Sequence, residues 1–419
     1  MVSSADAPSP RPATTASRWQ REHGQTAIDW FRSSGIAQRM LDDVCKAAET
    51  TVEVIVGEDP DRAREVLDEY PRVLACCDEL KFDEPAQALA YLTMHLPDRY
   101  CRMFQVLERL LASGRLPVGK NGRFAAIDIG AGPGPGIFAV RNFYAALARY
   151  AALQDASWPI TPVGRSHVVE PGQAMNWVMH QFAEALILAE RSYPRSSDGD
   201  PPKPNPCAKQ LEESAIPFGS RFNDFTALDI WGEHHAARKR IANELYDEDG
   251  LDLSRAGANR LSYQGNINQP SAYALAVMMN FLTPRSDLLK PDTNAAARLS
   301  EAIDQLMTRA LVPGGTILVL GGTSSDYQDI YRDLDSQASA AHLSVVAGFE
   351  APLQAGRRPE ELAAICALTR RLWRKLEALA GDVSPIKNEL RDHGAADIFD
   401  ESAQFRLPSF QVRAYRQGK

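Results

Sequence analysis

Cysteine is scarce and scattered in this chain: six in 419 residues, at Cys45, Cys76, Cys77, Cys101, Cys207 and Cys366. They form no C-x-x-C pair and no zinc-ligand spacing, so neither a disulfide scaffold nor a structural zinc module is expected. The reading is of reduced thiols in a cytoplasmic protein that needs no metal. Long hydrophobic runs are also missing: no apolar stretch approaches the ~20 residues of a membrane span, so no membrane partner is expected. The stretch from Met1 to Pro12 has no apolar centre of the kind a secretory signal carries and is expected to be part of a disordered tail over residues 1–20. Positive charge is in deficit. A formal net charge of −8 leaves a nucleic-acid partner possible but not favoured, because backbone binding usually needs a basic face. No internal repeat is evident.

What is present is a soluble-type composition, 44% hydrophobic, in a chain long enough for one large or two modest domains. Its most informative segment runs from Phe124 to Gly136. A short apolar run ends in Asp128-Ile129, and glycines follow at alternate positions, Gly130, Gly132, Gly134 and Gly136. The run reads as a buried strand and the glycines as a turn that residues without a Cβ make readily. The apolar stretch from Ile137 reads as a helix, with Pro135 near its first turn, where a missing N–H costs little. Strand, glycine turn and helix N-terminus together place bare backbone where a cofactor can lie.

Register separates three readings of that turn. A dinucleotide fingerprint needs G-x-G-x-x-G directly after the strand. Counting from Gly130 puts Pro135 at the last glycine position, counting from Gly132 puts Ile137 there, and the looser match at Gly134 starts too far past the strand. A P-loop pattern, G-x-x-x-x-G-K, runs from Gly114 to Lys120, but Asn121 stands where the magnesium-binding Ser or Thr belongs, and the pattern precedes the strand. It is read as an accidental linker. The third reading rests on an acid beside the glycines, which suits neutral hydroxyls better than phosphates because a carboxylate accepts protons and repels anions.

Asp128-Ile-Gly-Ala-Gly-Pro-Gly134 resembles the D-x-G-x-G-x-G first motif of class I S-adenosylmethionine-dependent methyltransferases. The stretch from Arg165 to Glu170 resembles that family's second strand, Ala272 to Asn280 its fourth, and Ala310 to Leu320 the L-x-P-G-G entry to its fifth. The resemblance covers roughly residues 95–345. It implies an α/β fold: a Rossmann-like, seven-stranded, mostly parallel sheet with a helical N-terminal region. It also implies S-adenosyl-L-methionine as cofactor, held by Asp128, Gly130, Ala131, Gly132, Pro133, Gly134, Glu170, Pro171, Asp224 and Asn280. Glu170 would bond the ribose hydroxyls, and Asp224, at the end of an expected third strand near Phe222–Trp231, the adenine amine. Asp128 and Glu170 lie 42 positions apart, about twice the ~20 of a minimal βαβ unit, and the Pro-rich stretch 154–164 accounts for the surplus. Segments Tyr91–Cys101 and Gly321–Ile330 are also similar to the ribosomal small-subunit-associated methyltransferase-like family. That family's cysteine cluster has no counterpart here, so the kinship implied is distant.

Around this core the pattern gives helices from about 21 to 118, a methyltransferase core over 119–419, and a mobile insertion near 190–210, where proline and polar residues crowd. The helical region reads either as a cover over the substrate side or as a packing module. Arg370 to Lys375 reads as the solvated face of a helix whose Leu372, Leu376 and Leu379 pack inward, and Phe405 to Tyr415 as an edge strand.

The acceptor is least legible. The Asn/Asp-Pro-Pro-Tyr signature of amino-directed enzymes is absent after the fourth strand, where Asn280-Phe-Leu-Thr-Pro284 stands. His234, His235 and Tyr263 are the candidate catalytic residues, the histidines as bases for an oxygen nucleophile and Tyr263 as a substrate-orienting group; solvated histidines and a loop hydrogen bond are the plainer alternatives. The function expected is methyl transfer to a small molecule or peptide. An RNA- or ribosome-directed enzyme or assembly factor, or a catalytically silent cofactor-binding scaffold, stands as the alternative.

Overall fold

The computed structural model describes residues 12–76, 80, 82–118, 124–154, 165–170, 172–191, 273–284, 294–356 and 358–418. Four helices come first: α1 (Pro12–Ser33), α2 (Ile36–Val56), α3 (Pro60–Cys76) and α4 (Pro85–Ala112). Helix α1 begins inside the stretch expected to be tail. It is anchored there by Gln20, whose side chain exchanges two hydrogen bonds with the backbone of Leu116, at 2.9 and 3.0 Å.

The sheet follows: β1 (Ala125–Ile129), α5 (Pro135–Leu153), β2 (Arg165–Val169), α6 (Gln173–Arg191), β3 (Tyr273–Met279), α7 (Asn294–Gln305) and β4 (Leu311–Gly321). The chain then continues through α8 (Ser325–Ala340), β5 (Leu343–Val345), β6 (Leu353–Gln354), α9 (Pro359–Ala380), α10 (Ser384–Asp392) and β7 (Ser409–Gln417). The seven strands lie in the order β2-β1-β3-β4-β7-β5, with β6 paired to β7 off that path. Strands β2, β1, β3 and β4 are mutually parallel, and β7 runs against its neighbours. The fold is therefore the Rossmann-like, mostly parallel α/β sheet expected. The third strand expected near Phe222–Trp231 lies outside the described residues, as does the insertion.

All seven residues of β3 are buried, as a parallel strand covered on both faces requires. Its side chains divide with period two. Leu275, Val277 and Met279 join the larger core, with the N-terminal helices and α5 and α6. Ala276 and Met278 join the smaller one, with residues of α7 and α8. Helices thus cover both faces, and the N-terminal helices thicken one of them.

Three placements depart from the sequence reading. Strand β7 is interior, hydrogen-bonded to β4 on one side and β5 on the other, because Phe410, Val412, Ala414 and Tyr415 are all buried and need cover on both faces. The L-x-P-G-G turn is a loop within β4: pairing with β3 starts at Leu311, breaks, and resumes at Thr316. Helix α9 packs on the N-terminal helices, its Trp373 ring edge-on to Tyr70 of α3 at 5.6 Å. The helical layer therefore draws on both ends of the chain, and the basic run on α9 is spent on it. Arg371 bonds Glu49 at 3.0 Å, and Lys375 pairs with Glu53.

Candidate cofactor-binding site

In the order β2-β1-β3-β4 the chain leaves β1 for β2 on one side and leaves β3 for β4 on the other, so β1 and β3 are neighbours whose following strands lie in opposite directions. Ligands of open α/β sheets lie in the crevice beyond the strand ends at such a point. Here the crevice is built from the glycine turn after β1, Glu170 after β2, and Asn280 and Phe281 after β3.

Backbone bonds hold both ends of the turn. Gly130 and Ala131 both donate to the Val169 carbonyl, at 2.8 and 3.2 Å, and Gly134 donates to Ala131 at 2.9 Å before Phe138 bonds Gly134 to begin α5. Gly130, Gly132 and Gly134 have φ of 68°, 57° and 90°, in the region where an L side chain is strained. Their surroundings differ. A Cβ at Gly130 would lie 2.5 Å from the Phe281 ring, and one at Gly134 2.6 Å from Phe138. At Gly132, among the described residues, only Tyr91 comes near, at 3.6 Å, so of the three glycines this one faces the crevice.

Two carboxyls close the turn from beneath. Glu170 accepts the Gly132 N–H at 2.6 Å and the Gly172 N–H at 2.9 Å, one on each oxygen. Asn176 on α6 fixes the same corner by donating to the carbonyls of Glu170 and Gly172, at 2.9 and 3.2 Å. Burial pushes the Glu170 carboxyl up to about 7, against the pull of those two N–H groups. Asp128 sits against the first turn of α5, where a Cβ at Gly136 would lie 2.6 Å from its Oδ2. Burial pushes it up to about 8; the Ile137 N–H draws it down and the Glu170 charge raises it further. Neither acid pairs with a cation among the described residues, so the floor of the crevice is formed by two buried, uncompensated carboxyl groups.

Helix α4 supplies the wall. Tyr91, His95 and Arg99 stand at four-residue spacing on one of its faces. The Arg99 guanidinium lies over the Tyr91 ring at 5.0 Å, and the Tyr91 and His95 rings meet at 4.9 Å. Arg99 also forks onto the Asn280 side chain, with the amide turned so that its oxygen faces the guanidinium. Asn280 holds a left-handed φ of 52°, unusual for a residue with a side chain, and its N–H bonds Leu320 at 2.8 Å. His95 Nε2 is sealed from solvent with no hydrogen-bond partner. Burial, then Arg99 and Arg102, hold its pKa well below the ordinary histidine value, so the ring is neutral.

The structure therefore brings Asp128, Gly130, Ala131, Gly132, Pro133, Gly134, Glu170 and Asn280 to one place. Pro171, Asp224, His234, His235 and Tyr263 lie outside the described residues. Tyr91, His95, Arg99 and Phe281 escaped the sequence reading. The signal for the first three was present as their i, i+4, i+8 spacing, which puts them on one helix face.

No family model matches the chain, and no curated protein does. Solved structures with a similar fold include the YcgJ protein of Bacillus subtilis, 11% identical over 77% of this chain and 98% of that one, with a TM-score of 0.31. A Haemonchus contortus phosphoethanolamine N-methyltransferase 2, in complex with phosphomonomethylethanolamine and S-adenosylhomocysteine, is 11% identical over 81% of this chain and 61% of its own, TM-score 0.30. A Thiobacillus denitrificans S-adenosylmethionine-dependent methyltransferase, in complex with S-adenosylhomocysteine, is 10% identical over 81% and 95%, TM-score 0.27. Likenesses this weak carry no argument about activity, which rests on the crevice.

Proposed function

We propose that the protein is an S-adenosylmethionine-dependent methyltransferase acting on a small molecule or peptide. One observation carries this reading: Glu170 occupies the Gly132 N–H. In a phosphate-binding turn that N–H would be offered to the ligand. Here a carboxylate stands in its place, so a diphosphate would meet an acid, while ribose hydroxyls would meet an acceptor with two lone pairs to spare. The exposed backbone at Gly132 leaves room for the rest of the cofactor, and the acidic floor favours a ligand bearing positive charge. The residues thus fit this cofactor and oppose a dinucleotide.

When bound, the cofactor supplies a methyl group on a positively charged sulfur. The chain's own residues then have separable tasks. Gly130, Gly132 and Gly134 present backbone, Ala131 and Pro133 complete the turn, and Glu170 holds the ribose. Asn280, fixed by Arg99, borders the crevice at the end of β3. Asp128 packs against the first turn of α5 at Gly136. Methyl transfer is an in-line displacement, so alignment carries much of the rate, and a base is needed only if the nucleophile holds a proton. We assign that role to His95, on α4 beside Tyr91: its ring is neutral, and a substrate that reached its buried Nε2 would meet a proton acceptor whose basicity burial, Arg99 and Arg102 reduce. His234, His235 and Tyr263 stay in the proposal as acceptor-side groups, and Pro171 and Asp224 as further cofactor contacts. An RNA- or ribosome-directed role draws no support from α9, whose Arg371 and Lys375 are paired with acids of α2.

Titration of S-adenosylhomocysteine into the wild type and Gly132→Val tests the placement. The wild type should bind saturably and the variant should not. The positive φ itself costs the variant about 1–2 kcal/mol of stability, which leaves a well-packed protein folded. Normal binding by a folded Gly132→Val would refute the site.

A further inference from the structure

At the other end of the sheet, the chain gathers cations without acids. Arg416 lies near the end of β7, paired with Thr316 of β4 and Ser344 of β5, where β4 resumes its pairing rather than where the glycine turn sits. Arg115, just past α4, and Arg21 of α1 join it around a cleft of about 500 Å³, with Ser17, Ser113 and Ser344 completing the lining. We propose that this cleft is a second binding site, for the phosphate group of a phosphorylated ligand.

Four observations converge. First, none of the three guanidiniums forms an ion pair with a described carboxylate. Elsewhere buried arginines hold theirs closely, Arg102 to Asp98 and Arg141 to Glu190, each at 2.6 Å. In a chain with net charge −8, the cluster leaves a local surplus of positive charge around the cleft. Second, the acids that feel the cluster, Glu22 the Arg21 charge and Glu350 the Arg115 charge, are committed elsewhere. Glu22 pairs with Arg18 at 2.8 Å, and both Glu350 oxygens accept the Gly348 N–H, at 2.9 and 3.0 Å. Third, Arg416 is tied to the Arg115 backbone and feels its charge: it donates to the Arg115 carbonyl at 3.3 Å, and burial together with the Arg115 charge lowers the Arg416 pKa. An oxyanion between them would convert that repulsion into attraction. Fourth, a glycine with positive φ makes the space: a Cβ at Gly114, whose φ is 69°, would lie 2.7 Å from the Arg21 side chain.

The donor set defines the ligand. Arginine forks suit oxygens spread over a tetrahedron, and three of them exceed what one planar carboxylate can satisfy. The volume falls within the range of small-molecule sites. A phosphate monoester or diphosphate fits this description, and so does one stretch of nucleic-acid backbone, which shares the chemistry. The segment from Gly114, set aside as an accidental P-loop, thus enters a phosphate site by a different route: through the space its glycine leaves, and not through a glycine-lysine cradle.

Calorimetric titration of pyrophosphate into the full chain, at constant ionic strength in chloride buffer, tests the proposal. Saturable binding is expected, weakened about tenfold or more in Arg416→Gln by loss of charge-assisted hydrogen bonds. Arg21→Gln should weaken it in the same direction, and because Arg21 is exposed that variant should fold whatever happens to Arg416→Gln. A short single-stranded RNA, titrated in parallel, separates the sources. Binding much tighter than pyrophosphate, with a salt slope reduced by about one in Arg21→Gln, identifies a backbone ligand. Pyrophosphate binding with no Arg21-dependent RNA binding identifies a small phosphorylated one. Absence of saturable pyrophosphate and RNA binding, or equal affinities in wild type and both variants, would overturn the proposal.

Discussion

The two ends of the sheet carry opposite electrostatic problems. Beyond β1 and β3, Asp128 and Glu170 are buried with backbone N–H groups and no cation, and both are pushed toward their neutral forms. Near the end of β7, Arg115 and Arg416 stand together with no ion pair to a described carboxylate, and burial and the Arg115 charge lower the Arg416 pKa while the guanidinium stays charged. Charge left unbalanced inside a fold is destabilising unless a ligand completes it, so each end describes its missing partner. The acidic end fits hydroxyls and positive charge; the basic end fits an oxyanion. One scaffold would thus present two sites that a single net charge conceals.

Breaking the acidic end chemically gives the largest expected effect. His95→Gln should lower turnover about 10²- to 10⁴-fold, the usual range for a positioned base, while cofactor affinity stays nearly unchanged. Steady-state kinetics beside equilibrium binding separates the two, and equal losses in both would remove His95 from the proton-transfer role. Glu170→Gln comes next. Glutamine offers one acceptor oxygen where Glu170 offers two, so Gly132 or Gly172 loses its partner, at about 1–3 kcal/mol of stability. S-adenosylhomocysteine should bind about tenfold or more weakly, and pyrophosphate as before. Were pyrophosphate lost as well, the two ends would not be independent.

The smallest effect is a pH dependence. Folded pKa values of about 8 for Asp128 and about 7 for Glu170 exceed the free values of 3.8 and 4.5. The folded chain therefore binds more protons than the unfolded one between about pH 4 and pH 8. Their contribution to stability is fully present below about pH 4 and declines as pH rises through that window. Asp128→Asn cannot ionise, so its denaturation midpoint should fall less than the wild type's between about pH 5 and pH 8. Identical declines would mean that Asp128 is already ionised in the folded chain.

Much of the acidic end was legible from sequence because its signals are local. An apolar run, glycines at fixed offsets and an acid at a strand end each constrain the few residues around them. The interior position of β7 was not legible: alternation from Phe410 to Tyr415 marks a strand but does not say whether one neighbour or two will pair with it. The docking of α9 on α2 and α3 was hidden for a similar reason. Trp373 meets Tyr70 across some three hundred residues, and nothing near Trp373 names its partner. The α4 stripe was visible only once Gly132 showed what it faces. The arginine cluster could not be read at all, because Arg21, Arg115 and Arg416 come together through the fold alone.

The most direct test is thermal unfolding with S-adenosylhomocysteine, NAD and ATP in separate samples. At 100 times its dissociation constant a ligand of the native state adds about 2.7 kcal/mol of stability. Selective stabilisation by S-adenosylhomocysteine is the predicted result. Stabilisation by NAD alone, or by none of the three, would contradict the assignment of the crevice.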